Sequence, residues 1–380
     1  MALQVTAAAS STVSSAPLAF IPARPSTSKA AMDLPSSSSK VFPESHRWPP
    51  SDCPKVFHNQ YIRGLELPVI DLDEDERVCL EKLRKACEEW GFFNVVSHGV
   101  PQDLMKSMEG LSKSFFCLPV ESKIQATEGS WKFRLYESFS RKKYTACSWV
   151  EGLNVHDLSA IPQIASCAWP EQSTTISKTF TDYLGEMDKL GKRILRLLVL
   201  SLGVKESTAS DLLSGCGFTG TRFNYYPSCP EPSMALGLVP HTDPNCVTIL
   251  HQDSVGGLQI ARKGQWIAVK PIDNAIVINI GDSFQVWSNC RYKSVEHRAV
   301  VNSDTPRVSI GYFYGPVAED LVIQAPSELV DGDHPLVHRP FRYMDYMSWR
   351  TTSNLFGKNA FNVFTSLDFP GAAAAASEKP

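Results

Sequence analysis

"CVTILHQDSVGGLQIARKGQWIAVKPIDNAIVINIG", residues 246–281, contains four short β-rich runs separated by turn residues: CVTILHQ, GLQIA, WIAVKP and AIVINIG. Similar runs flank it, with RFNYYP at 222–227 before, and RYKSVEHRAVV at 291–301 and RVSIGYFYG at 307–315 after. Seven or eight short strands with turns between them predict an antiparallel sandwich or jelly roll. The expected fold is mainly β with flanking helices, around a double-stranded β-helix (jelly-roll, cupin-like) core.

Upstream the texture is mixed, which predicts an N-terminal α/β region. LPVIDLD (67–73) reads as a strand, and ERVCLEKLRKACEEWG (76–91) has apolar residues at helical spacing with Gly91 closing the helix. FFNVVSHGV (92–100) is a second strand, and QDLMKSMEGLSKSFFCLP (102–119) a helix bounded by prolines. A helix of roughly thirty residues is expected over 173–202, with an apolar stripe that includes Phe180, Leu184, Met187 and Ile194. Residues 128–171 show no clean period, which predicts a substrate lid. The expected organisation is a disordered tail at 1–60, an N-terminal helical region with the lid at 61–215, the catalytic core at 216–325, and a C-terminal helix with a disordered tail at 326–380.

The chain has 380 residues, 43% of them hydrophobic, with a formal net charge of −3, so neither a nucleic acid nor an anionic membrane is expected as partner. The most apolar run, RILRLLVLSLG, is far shorter than the ~20 residues of a membrane span. Ten cysteines without a C-x-x-C pair suggest reduced thiols in the cytoplasm. The first forty residues are rich in Ser, Thr, Ala and Pro with no acid before Asp33, compatible with a plastid transit segment or a disordered tail.

Residues 240–257 contain one pattern twice, His241-Thr242-Asp243 and His251-Gln252-Asp253. A histidine and an aspartate two apart on an extended chain share a face, and strand parity does not choose between the pairs. His297 offers a third ligand; two His and one carboxylate suit non-haem Fe(II) oxygen chemistry, although zinc accepts the same donors. Arg307 and Ser309 share a strand face, and a buried arginine fork beside a hydroxyl calls for a carboxylate. A turn near Ser303 would set His297 across from about Ser309. Iron ligands beside a carboxylate anchor describe 2-oxoglutarate as co-substrate.

From about residue 60 to residue 350 the chain resembles the plant Fe(II)/2-oxoglutarate-dependent dioxygenases, carrying EWGFFNVVSHGVP, NYYPSCPEP, HTD, GLQI, NIGDSFQVWSN, YKSVEHR and RVS in the family order. The resemblance implies that the metal pair precedes the strand reading TIL, which selects His241 and Asp243, with His297 as third ligand. It implies that Asn224 and Tyr226 reach 2-oxoglutarate, whose distal carboxylate Arg307 and Ser309 hold, with ascorbate as reductant. The implied reaction consumes molecular oxygen, decarboxylates 2-oxoglutarate to succinate and hydroxylates a substrate C–H.

Several blocks are similar to gibberellin 3β-hydroxylases: PESHRWP, CPEPSMALGLVPHTD, HRAVVNSDTPRVSIGYFYGP and EDLVIQAPSELV. Others, GLVPHTD, DSVGGLQ and WSNCRYKSVEH, also look like gibberellin 2-oxidases. The implied substrate is a carboxylated diterpenoid, with a flavonoid or other specialised metabolite behind it. YESFSRKKYTACSWVEG (136–152) is longer and more basic than the family's lid, so Arg134, Arg141, Lys142 and Lys143 are candidates to meet the substrate carboxylate. A non-catalytic cupin-like binding protein is the reading from another class.

Overall fold

The structure is a computed structural model, and it describes residues 42–366 apart from 58, 129–131, 135–145, 319, 354 and 356. In the N-terminal region the elements are β1 (Val69–Asp71), α1 (Glu76–Glu89), β2 (Phe92–Val96), α2 (Gln102–Phe116), α3 (Val120–Ala126), β3 (Lys132–Arg134), β4 (Glu151–Val155), α4 (Ile161–Ala168), α5 (Ser173–Ser201) and α6 (Glu206–Ser214). The β-rich half follows with β5 (Cys216–Tyr226), β6 (Leu238–His241), β7 (Val247–Gln252), β8 (Leu258–Arg262), β9 (Gln265–Ala268), β10 (Ile276–Ile280), α7 (Asp282–Trp287), β11 (His297–Ala299) and β12 (Arg307–Pro316). β13 (Val322–Ile323), β14 (Phe341–Arg342), α8 (Tyr343–Thr352) and α9 (Gly357–Thr365) close the chain.

Local chemistry explains the boundaries. Asp75 caps α1 by accepting from the Arg77 amide, and Cys79, Leu83, Ala86 and Cys87 bury its inner face. Gly91 then turns the chain at φ +64°, where an added Cβ would lie 2.1 Å from the Lys293 carbonyl oxygen.

Two sheets form the core. The larger has the order β1-β2-β10-β7-β12-β5-β4-β3, and the smaller β6-β11-β8-β9. Apart from the parallel β1–β2 pair, both are antiparallel. One face of the large sheet is covered by helices: Phe223 meets Phe180 of α5, Tyr225 stacks on Phe116 of α2, and the Tyr312 hydroxyl donates to Asp188. Gly191 lets α5 approach closely, since a Cβ there would stand 2.7 Å from the Tyr314 ring. Alternation then sends Arg222, Asn224, Tyr226, Arg307 and Ser309 to the opposite face, because Tyr226 pairs with Arg307 and Asn224 with Ser309.

Several expectations change. β11 pairs with β6 and β8 in the small sheet, whereas β12 pairs with β5 and β7 in the large one. His297 is therefore not across from Ser309; the segment 300–306 crosses between sheets instead of closing a hairpin, as strands of a two-sheet roll must. Packing also begins earlier than residue 61: Phe42 stacks on Trp149 at 5.6 Å, and the Trp48 amide donates to the Met234 carbonyl. These aromatics are buried in the core although their surroundings are rich in Pro and Ser.

Much of the irregular stretch 128–171 is built into the core. β4 inserts between β5 and β3, and α4 packs on α5; both are too short to show a period. Arg141, Lys142 and Lys143 lie outside the described residues, and of Arg134 only its strand position is described. The C-terminal helix appears as α8, joined by a further helix, α9, that holds buried Phe361 and Phe364. Among the described residues no helix is long and apolar enough to cross a membrane.

Candidate functional site

His241 ends β6 and His297 begins β11, and the two are direct antiparallel partners. Their ring centroids lie 4.2 Å apart. Each ring places Nδ1 against a carbonyl two residues earlier, His241 against Val239 at 2.7 Å and His297 against Val295 at 3.2 Å. That leaves both Nε2 atoms as donors toward one point. Burial, with the neighbouring His297, pushes the His241 ring down to about 4, so it is neutral and able to ligate at neutral pH.

Asp243 follows on the turn from the small sheet to the large one. Its Oδ1 lies 3.7 Å from His241 Nε2, and its Oδ2 lies 3.7 Å from His297 Nε2. Oδ2 also accepts from the Thr248 hydroxyl at 2.6 Å and from Asn279 Nδ2 at 2.8 Å. Burial alone would raise this carboxyl, but the two imidazoles and the two hydrogen bonds outweigh it and hold it below its ordinary value. One donor atom from each of the three residues falls within 4.8 Å of the others. Two metal–ligand bonds of about 2.1 Å span about 4 Å, so these donors fit a shared ion, with the remaining positions open.

The second pair of the repeat goes elsewhere. His251 points to the helix layer, where Nδ1 meets the Tyr183 hydroxyl at 3.1 Å and Nε2 meets Glu109 at 3.0 Å. Asp253 accepts from the amides of Val308 and Val255 and fixes the end of β7. Sheet membership separates the pairs: His241 belongs to the small sheet and His251 to the large one.

On the inward face of the β5–β12 ladder, Arg307 is 2% exposed and its guanidinium lies over the Tyr226 ring at 4.9 Å. Its Nη2 donates to Gln252 at 3.0 Å, while its buried Nε has no hydrogen-bond partner. A buried guanidinium with an unmet donor suits an incoming carboxylate. Ser309 accepts from Asn224 Nδ2 at 3.4 Å, and Asn224 Oδ1 accepts from Arg222 Nε at 2.6 Å. All seven expected residues are thus placed on or beside the inner surface of the roll. Sequence reading missed Arg222, Gln252, Thr248 and Asn279. Asn279 did leave a signal: it is the one polar residue in IVINI, a strand buried along its whole length.

A two-histidine, one-carboxylate cluster inside a jelly roll is the arrangement of non-haem Fe(II) oxygenases. Comparison with known proteins agrees. The model of the 2OG-Fe(II) oxygenase superfamily matches residues 218–316, and that of the non-haem dioxygenase in morphine synthesis N-terminal region matches residues 67–172. Jasmonate-induced oxygenase 1 of Arabidopsis thaliana is 35% identical over 341 residues, covering 86% of this chain and 83% of that protein. Flavanone 3-dioxygenase 2 of Oryza sativa subsp. japonica is 34% identical over 328 residues, covering 85% and 94%. The crystal structure of JOX2 in complex with 2OG, Fe and JA superposes with a TM-score of 0.73 at 34% identity, covering 87% of this chain and 96% of that one.

The chain belongs to the 2OG-Fe(II) oxygenase superfamily. It is an Fe(II)- and 2-oxoglutarate-dependent dioxygenase acting on a small plant metabolite.

Proposed function

We propose that His241, Asp243 and His297 hold the Fe(II), that Arg307 and Ser309 hold the distal carboxylate of 2-oxoglutarate, and that Asn224 and Tyr226 border it. The observation that carries this reading is the unmet Nε of buried Arg307, on the inward face of the same roll as the three donors. Bound Fe(II) supplies the oxygen chemistry, coupling decarboxylation of 2-oxoglutarate to succinate and carbon dioxide with hydroxylation of a C–H bond. The chain's own residues bind and orient. Thr248 and Asn279 occupy one oxygen of Asp243 and direct the other outward. The Val239 and Val295 carbonyls fix the imidazole orientations. Gln252 and Tyr226 keep the Arg307 fork in place between turnovers.

For the substrate we propose a small carboxylic acid, hydroxylated at a ring carbon. The gibberellin-like blocks favour a gibberellin precursor attacked at the 3β position, with 2β-hydroxylation as the alternative product. A second reading, a jasmonate, is favoured by the likeness to JOX2, whose structure contains JA. Both candidates bear a carboxylate. Arg222, 8% exposed and on the same strand face as Asn224 and Tyr226, is the cation we assign to it. We place the reaction in the cytoplasm, a reading supported by ten free cysteines; a fluorescent fusion found in plastids would overturn it.

The deciding experiment incubates the protein with Fe(II), 2-oxoglutarate and ascorbate against gibberellin precursors, jasmonic acid and a flavanone. Products are identified by mass spectrometry and succinate is measured beside them. Hydroxylation of an acid, weakened several-fold in Arg222→Gln, is the expected result. Turnover of the flavanone alone would sink the carboxylic-acid reading, and absence of succinate under every condition would sink the enzyme reading.

A further inference from the structure

The metal-ligand turn is braced by a part of the chain outside the jelly roll. Asp282, the first residue of α7, is fully buried. Its Oδ2 accepts from the Thr242 hydroxyl at 2.9 Å, the Tyr346 hydroxyl at 2.7 Å and Arg350 Nη1 at 2.9 Å. Its Oδ1 accepts from Ser294 at 2.7 Å and lies 3.6 Å from Lys358 Nζ. Tyr346 and Arg350 come from α8, and Lys358 from α9.

Arg350 does more than neutralise this carboxylate. Its Nη2 donates to the Thr242 carbonyl at 2.8 Å, the peptide oxygen between His241 and Asp243. The Asp282 amide donates to the next carbonyl, that of Asp243, at 2.7 Å. Gly281 permits this approach, since a Cβ there would stand 2.0 Å from the Asn245 carbonyl oxygen. Two successive carbonyls of the turn are therefore held by the two residues of one ion pair, the half-buried Arg350 and the fully buried Asp282, and Thr242 is itself fully buried.

We propose that Arg350, seated on Asp282, is a positioning residue for the metal site: the C-terminal helix α8 sets the angle between the His241 and Asp243 donors. A buried ion pair contributes little net stability against an apolar alternative, but it fixes geometry when both partners are also hydrogen-bonded. The two amine forks of one guanidinium reach two different acceptors here, Asp282 and Thr242, and a lysine ammonium cannot span both in the same way. Tyr346 shares Asp282, and its hydroxyl also accepts from Arg350 Nη1 at 3.1 Å, but it does not reach the turn; Tyr346→Phe therefore keeps the Arg350–Thr242 bond and serves as the control.

This inference rests on the assignment of His241, Asp243 and His297 as metal ligands, and the test separates the two. The metal-free protein is titrated with Co(II), following calorimetry and the ligand-field absorption bands, for wild type, Arg350→Gln, Arg350→Lys, Tyr346→Phe and Asp243→Ala, with melting of each metal-free form as the folding check. Arg350→Gln should weaken Co(II) binding by about 10- to 100-fold, the usual effect of losing a partner that orients a ligand, and should shift the absorption bands. Arg350→Lys should fall between it and wild type. Tyr346→Phe should lower the melting temperature while leaving affinity within about twofold.

Wild-type affinity and bands in a folded Arg350→Gln protein overturn the proposal, as does an equal loss of affinity in Tyr346→Phe. If Arg350→Gln does not fold, Arg350→Lys decides, and an unchanged affinity there also overturns it. Wild-type Co(II) binding by Asp243→Ala would instead overturn the ligand assignment.

Discussion

His241-Thr242-Asp243 and His251-Gln252-Asp253 share residue types and spacing, and the fold uses them for opposite purposes. The first pair straddles the step from the small sheet to the large one, and its imidazole and carboxylate converge with His297 inside the roll. The second lies at the end of a strand whose histidine faces the helices, bonded to Tyr183 and Glu109, while its aspartate ties down the Val308 and Val255 amides. A motif of this length is only as informative as the face it is presented on. The face depends on which sheet the strand joins, and strand spacing cannot report that.

The largest contrast between the pairs is in metal binding. Asp243→Ala should abolish turnover and metal binding, since it removes the anionic member of the cluster. Asp253→Ala should keep its metal yet lose about 1–3 kcal/mol of stability, because two amides are left without their acceptor. Metal titration beside urea unfolding checks both, and a metal-free but fully stable Asp253→Ala would reverse the assignment.

The next contrast runs across the large sheet, with Arg307 of β12 on its inner face and His251 of β7 on its outer one. Arg307→Lys should raise the Michaelis constant for 2-oxoglutarate by at least about tenfold, because a point charge cannot reproduce a planar fork. The Michaelis constant of the hydroxylated substrate should change little. An unmoved 2-oxoglutarate dependence would remove Arg307 from the co-substrate site. On the outer side, Tyr183→Phe removes the hydroxyl that meets His251 and should cost about 1 kcal/mol in urea unfolding with Co(II) affinity intact. A loss of metal affinity there would show that the second pair communicates with the first.

The smallest effect concerns pH. Burial would raise the Glu109 carboxyl, but its bond to His251, with Lys113 and Lys106 nearby, outweighs this and holds it below its ordinary value. A carboxyl depressed in the folded state contributes stability above its unfolded value of about 4.3, lost as pH falls through the folded value. Glu109→Gln should therefore lower stability above about pH 5 and remove that part of the acid fall, so that the two profiles converge at low pH. Thermal melts of both proteins across that range measure the difference; parallel profiles would mean that Glu109 contributes nothing through its charge.

Much of this was legible in the order of residues. The short β-rich runs announced the roll, helical spacing announced α1 and the long α5, and alternation put Arg307 and Ser309 on one strand face. The gibberellin-like blocks named a finer substrate than the relatives described above support, since short motifs around a shared core record the core's chemistry more faithfully than the pocket's. Residues 42–57 were read as a tail because their composition is that of one; Phe42 and Trp48 are ordered by Trp149 and Met234, which stand about a hundred or more positions away in the chain.

By itself, then, the sequence carried the ligand types and the turn residues and, through its resemblance to a known family, the class of chemistry, because these need no partner in space to be read. The family resemblance favoured the first of the two patterns, and the tertiary structure supplies the physical difference, since only His241 and Asp243 converge with His297. The tertiary structure also decided that β11 and β12 belong to different sheets, that Thr248 and Asn279 orient Asp243, and that Asp282 and a C-terminal arginine brace the turn between two ligands. These are meetings between residues far apart in the chain, and they exist only once burial has closed two sheets over each other and brought buried carboxylates such as Asp243 and Asp282 against their partners.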